Sequence, residues 1–295
     1  MHVYYRPEYV RAAYAFDTTR KARWIADSLA ARPIAGVGLT APEPVDEAAL
    51  CAVHDPTYVA AIRTGVPRSL AESSSLQWDV GLWLATRAST GGVLAAARAA
   101  RVDGIAGSLS SGLHHAKRDR GEGYCTFNGL ALAARAALAD GARAVLILDL
   151  DAHCGGGTYG LIAEDPRIQH ADIAVDPFDH YTPSAPHTLH LAATAADYLP
   201  AVATLLGALD AAGRQFDLCL YNAGMDPVEG CAIGGLAGIT RETLAARERM
   251  VFHWAQSRRV PISFVLAGGY SGPRLAQDTL VELHRLTIEV AAGVG

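Results

Sequence analysis

From residue 104 onward, short runs of wholly apolar residues alternate with longer segments of helical periodicity, and this alternation constrains the fold more than any other feature. Residues 144–150 read Ala-Val-Leu-Ile-Leu-Asp-Leu, a run too short for a helix and bounded by Gly141 and Gly155. Residues 104–110, 168–175, 216–221 and 261–267 read as further strands, with helices predicted over 130–138, 197–212, 240–257 and 275–292. A strand with no polar face must be covered on both sides. The expectation is an α/β fold with a parallel sheet between helices. Upstream, residues 47–62 have helical spacing throughout and 78–101 predict one or two helices. The prolines at 42 and 44 and the polar run 69–77 read as surface loops.

In such sheets ligands bind at the carboxyl ends of the strands. Four of the apolar runs end in polar residues of one chemical kind. The first leads into Ser111-Gly112-Leu113-His114-His115, the second into Asp149-Leu150-Asp151-Ala152-His153, the third into Asn222-Ala223-Gly224-Met225-Asp226, and the fourth into Gly268-Gly269-Tyr270. Asp151 and His153 are two apart, so in extended chain they face one side. With Asp226 they make a three-ligand set with open positions, as a catalytic divalent metal requires, and the carboxylate-rich set suits Zn²⁺ or Fe²⁺. His114 and His115 are candidate acid–base groups, Asp149 a candidate partner for one imidazole, and Tyr270 a candidate donor to an oxyanion. Tyr124 and Phe178 are candidate channel walls, although aromatic residues more often simply pack. His54, before Asp55-Pro56, reads as a structural support. His170, His180, His187, His190, His253 and His284 read as surface or core residues, and Cys154 as a small packing residue.

Composition bounds the function classes. The 295 residues are 51% hydrophobic and 19% charged, ample for a large core. The net charge of −5 comes from mixed charges with no basic block, so no nucleic-acid partner is expected. The 5 cysteines include no Cys-x-x-Cys pair, so neither a disulfide framework nor a zinc knuckle is indicated. No run approaches the roughly 18 apolar residues of a membrane span, and the first residues lack the apolar stretch of a signal peptide. A cytoplasmic protein without a membrane partner is expected; its oligomeric state is left open.

Residues 112–128, 149–158, 221–235 and 267–270 resemble the signature blocks of the histone deacetylase superfamily, which includes acetylpolyamine amidohydrolases. Residues 3–10 and 50–62 are similar to the family's N-terminal segments, and the motifs lie nearest the class IV branch. The resemblance implies a single catalytic domain over 1–295 with the arginase/deacetylase fold, one eight-stranded parallel sheet between helices. It implies a zinc-dependent deacylase acting on an acylated amine, either acyl-lysine or a small N-acetylated metabolite. Asp151, His153 and Asp226 match the family's zinc ligands, His114 and His115 its catalytic pair, Asp149 the carboxylate behind the first, and Tyr270 the carbonyl-polarising tyrosine. Gly123 and Tyr124 match the acyl-channel walls, and a structural K⁺ is implied near Asp149, Asp151 and His153.

Two positions depart from that pattern. Gly156 stands where the family has an Asn or Asp that orients the second histidine, so an acidic neighbour such as Asp119 or Glu122 is the expected substitute. Cys154 stands where a histidine is common. The segment 63–78 is short, which weakens a polyamine assignment. Two rival readings remain: an inactive acyl-lysine-binding protein, and an arginase-like ureohydrolase. The second needs extra metal-binding carboxylates where this chain has Gly155 and Gly224.

Overall fold

The computed structural model describes residues 1–294. Its strands are β1 (His2–Tyr4), β2 (Gly38–Thr40), β3 (Ile105–Ser108), β4 (Val145–Asp149), β5 (Ile168–Ala174), β6 (Thr188–Leu191), β7 (Leu218–Asn222) and β8 (Ile262–Val265). They form one eight-stranded sheet in the order β2-β1-β3-β8-β7-β4-β5-β6, and every pair is parallel.

The helices are α1 (Asp17–Ala31), α2 (Glu47–Cys51), α3 (Pro56–Thr64), α4 (Arg68–Ala71), α5 (Val80–Asp103), α6 (Gly129–Ala139), α7 (Gly156–Ile162), α8 (Ala195–Ala211), α9 (Arg241–Arg258) and α10 (Gln277–Val294). None of them is long and apolar enough to cross a membrane. The central strands show why their sequences are apolar throughout. On β4, Leu146 and Leu148 pack into one core with Ile25 of α1, Val202 of α8, Val251 of α9 and Leu283 of α10. Val145 and Ile147 pack into the other, with Ile62 of α3, Trp83 of α5 and Leu130 of α6. Both faces are therefore dry, and the period-2 alternation sorts side chains between two cores.

Two expectations need correction. Residues 47–62 are two helices, because Pro56 cannot continue one and Asp55 caps the next by accepting from the Thr57 backbone N–H at 2.7 Å. The 69–77 run is not merely a surface loop. It includes part of α4, and Ser74 is fully buried, its carbonyl accepting from the Tyr124 N–H. That run therefore props the segment beside the candidate channel.

Candidate active site

The four runs with polar ends belong to β3, β8, β7 and β4, which are consecutive neighbours at the centre of the sheet. Asp151 and His153 follow β4, and Asp226 follows β7. Their donor atoms all lie within 4.8 Å of one another, and all three residues are buried. The His153 Nδ1 lies 3.1 Å from Asp151 Oδ1 and 3.3 Å from Asp226 Oδ2. Backbone N–H groups hold the carboxylates: Ala152 donates to Asp226 Oδ1 at 3.0 Å and His153 to Asp151 Oδ1 at 3.1 Å. Asp226 Oδ2 has no hydrogen-bond partner among the described residues.

This cluster fits a divalent cation. Burial and repulsion from Asp151 push Asp226 up to about 6. Burial alone would lower His153, but the two carboxylates outweigh it and raise the imidazole to about 11. Two enclosed carboxylates thus draw positive charge, and a metal ion satisfies both them and the orphaned oxygen.

Beside this set lie His114 and His115, their rings 3.9 Å apart between centroids. His114 Nδ1 is 2.8 Å from Asp149 Oδ2, and Asp149 is itself held by Asn222 Nδ2 at 2.8 Å. Burial opposes the charged form of His114, yet Asp149 and Asp151 raise it to about 10. Burial and then the neighbouring His114 push His115 down to about 4. The pair is therefore split, with one imidazole favouring the proton and the other neutral.

The expected partners of His115 do not reach it. Asp119 is exposed and paired with Arg120, and Glu122 faces Arg120 and Lys117. The group on His115 Nδ1 is instead Asp179, at 3.0 Å, from the loop after β5. Spacing did not point to it, because a loop carboxylate has no period. The available signal was the missing side chain at Gly156.

Tyr270 follows β8 through Gly268 and Gly269, at φ 50° and 85°. Glycine is needed at 268, where a Cβ would run into the Asp226 carboxylate. The Tyr270 ring packs 5.5 Å from Phe16 and 6.4 Å from Tyr124. Burial, then Asp226 and Asp151, hold its phenol well above the ordinary range, so it remains a donor. Tyr270, Gly123, Tyr124 and Phe178 line one open cavity with His115 and His153, of about 670 Å³. Phe178 stands edge-on to His115 at 4.9 Å, and a Cβ at Gly123 would lie 2.6 Å from the same ring. Phe16 packs on the rings of both Tyr124 and Tyr270, a support that no sequence pattern indicated.

The surroundings discriminate between metal arrangements. At Gly155 a Cβ would lie 2.8 Å from Asp149 Oδ2, and at Gly224 one would lie 2.5 Å from the Asp151 Cα. Neither position has room for the carboxylate that a second divalent ion needs. Behind β4, Asp172 is fully buried, and its Oδ1 lacks a partner among the described residues. Burial and the neighbouring Asp149 raise its pKa well above the usual range, so this corner fits a further cation such as K⁺. Tyr181 bridges Asp172 and His170 there, which makes His170 part of the support beneath Asp149. Cys154 packs with Ala174 and Tyr181, as a small core residue does. His54 is buried, with Nδ1 2.8 Å from the Lys117 carbonyl and Nε2 accepting from the Asn128 N–H at 3.0 Å.

Comparison with known proteins places this geometry in a family. The histone deacetylase domain pattern matches residues 14–286. An uncharacterized protein of the cyanobacterium Picosynechococcus is 33% identical over 238 residues, covering 78% of this chain and 78% of its own. Histone deacetylase 2 of Arabidopsis thaliana is 31% identical over 210 residues, covering 68% of this chain and 53% of that protein. The crystal structure of acetylpolyamine aminohydrolase from Burkholderia pseudomallei superposes with a TM-score of 0.78 at 20% identity, covering 100% of this chain and 99% of the other. The chain therefore belongs to the histone deacetylase family of hydrolases and has the arginase/deacetylase fold.

Proposed function

We propose that this chain is a zinc-dependent amidohydrolase, one catalytic domain that removes an acetyl or longer acyl group from an N-acylated amine. The observation that carries the reading is the meeting of one Asp-His-Asp cluster, one charge-split histidine pair and one phenol around a single cavity. Asp151, His153 and Asp226 would hold the ion. When bound, it supplies Lewis acidity toward the carbonyl and lowers the pKa of a coordinated water. The corner around Asp149 and Asp172 would hold K⁺.

The chain's own groups then have separable tasks. Neutral His115 presents Nε2 to the cavity and takes a proton from the attacking water. His114, held in its protonated form by Asp149, keeps His115 neutral and so free to accept that proton. Tyr270 donates to the carbonyl oxygen as negative charge builds there. The C–N bond breaks as an imidazolium proton passes to the nitrogen, releasing a carboxylate and an amine. Gly123, Tyr124 and Phe178 shape the passage for the acylated arm, which suits acyl-lysine or a small N-acetylated amine.

The test is metal content together with turnover on acetyl-lysine peptides, longer-acyl peptides and N-acetylated small amines. Asp151→Ala and His153→Ala should each lose both metal and turnover, and hydroxamates should inhibit by chelation. Stoichiometric metal without turnover on any substrate would instead favour an acyl-lysine-binding protein.

A further inference from the structure

We propose that Asp179 is the positioning residue for His115, and that Gly156 is the vacancy that admits its carboxylate. The proposal rests on the reading of His115 as the base, and it concerns how that base is aimed.

Both oxygens of Asp179 are committed. Oδ2 lies 3.0 Å from His115 Nδ1 and accepts from the Gly157 N–H at 2.9 Å, while Oδ1 is paired with the Lys117 ammonium. The carboxylate is only 7% exposed. A carboxylate at Nδ1 fixes the proton there, leaving Nε2 as the bare acceptor that faces the cavity. Burial opposes ionisation of Asp179, but His115 and Lys117 outweigh it, so the group remains an acceptor.

The backbone is bent to make this contact. Asp179 has φ 59°, in the left-handed region that residues bearing a side chain seldom adopt. That turn lets consecutive residues reach one imidazole: Phe178 stands edge-on to its face and Asp179 holds its nitrogen. The Phe178 carbonyl ties the turn to Cys154 N–H at 3.0 Å.

Gly156 completes the relationship. A Cβ built there would run into the carbonyl oxygen of Asp179 and fall 2.5 Å from that residue's Oδ1 and 2.8 Å from its Cγ. A side chain at 156 and the carboxylate of Asp179 therefore compete for one space. The anchoring carboxylate has moved from the start of α7 to the loop after β5, and Lys117 secures it from the other side.

The experiment compares Asp179→Ala, Asp179→Asn and Gly156→Ala in the metal-loaded protein. Asp179→Ala should lower kcat by about 10- to 100-fold with KM within about 2-fold, the scale of lost support behind an active-site group. Asp179→Asn keeps an oxygen for the Nδ1–H and should recover most of that loss. Gly156→Ala should lower kcat in the parent, because the methyl displaces Asp179, backbone and carboxylate together. Nitrogen-15 NMR of the histidine rings supplies a readout independent of turnover. His115 should be the Nδ1–H tautomer in the parent and in Asp179→Asn, and lose that state in Asp179→Ala. An unchanged tautomer in Asp179→Ala, or a parental tautomer and kcat in Gly156→Ala, overturns the proposal. If the parent turns over no substrate, the proposed function fails, while the tautomer result still decides the role of Asp179.

Discussion

Arg247 donates to the carbonyl oxygen of Gly224 at 2.7 Å from within α9, and the same nitrogen reaches the Leu150 carbonyl at 3.1 Å. Leu150 precedes Asp151, and Gly224 lies two residues before Asp226. One buried guanidinium thus joins the two segments that carry the candidate metal ligands. Glu248 neutralises it, and Tyr221 donates to Glu248 at 2.8 Å. Removing one member of such a pair strands the other charge.

Arg247→Met should therefore destabilise the protein by about 3–5 kcal/mol, the usual cost of breaking a buried ion pair. It should also weaken metal retention, because the two segments lose their common tie. Urea unfolding and a competition assay with a chelator measure these separately. A variant that unfolds at the parental midpoint and keeps its metal would show that the tie is dispensable.

Tyr270→Phe should leave metal content unchanged and lower kcat by about two orders of magnitude or more, the scale found when one oxyanion donor is deleted. The ring's packing against Phe16 and Tyr124 survives the change, so stability should move little. Metal analysis and steady-state kinetics on a single acylated substrate are sufficient. Near-parental turnover would remove the phenol from the mechanism.

How much of this was readable from sequence follows from where each residue lies. β3, β4, β5, β7 and β8 were legible because burial on both faces demands apolar runs. β1, β2 and β6 were not, since they lie toward the sheet's edges, partly exposed, and so need no wholly apolar run. The polar residues after β3, β4, β7 and β8 stood out because each interrupts an apolar run at a strand end. Asp179 did not, because its role depends on a left-handed turn and on space vacated 23 positions earlier in the chain. Arg247 and Glu248 also escaped notice. Adjacent charges in a helix read as a solvated face, whereas here both are fully buried.

Gly268→Ala tests the close approach behind the metal set. The added methyl would meet the Asp226 carboxylate, and φ 50° disfavours any side chain there. Asp226 must shift or the turn to Tyr270 must open. The expected outcome is a marked loss of metal affinity with the fold retained, read by metal analysis beside circular dichroism. Undiminished metal binding would mean that the Asp226 carboxylate has freedom the packing does not suggest.

His54 links acid stability to the loop that carries the histidine pair. Its Nδ1–H donates to the Lys117 carbonyl, while Nε2 accepts from the Asn128 N–H. Asn128 in turn caps α6 and donates to the His114 carbonyl at 3.2 Å. Protonating Nε2 would set two N–H donors against each other, and burial already depresses the imidazole to about 4. The unfolded chain takes up this proton near pH 6.5, well before the folded one does. The stability associated with neutral His54 is thus fully present above about pH 6.5 and falls as the pH drops toward 4, by about 3 kcal/mol in total at 1.36 kcal/mol per unit. His54→Asn, which cannot titrate, should start less stable but show a shallower fall in urea midpoint between pH 7 and pH 4.5. Equal slopes for parent and variant would place the acid sensitivity elsewhere. A shallower slope would identify His54 as the group that ties the Lys117–Asn128 segment, and with it the orientation of His114, to the protonation state of the protein.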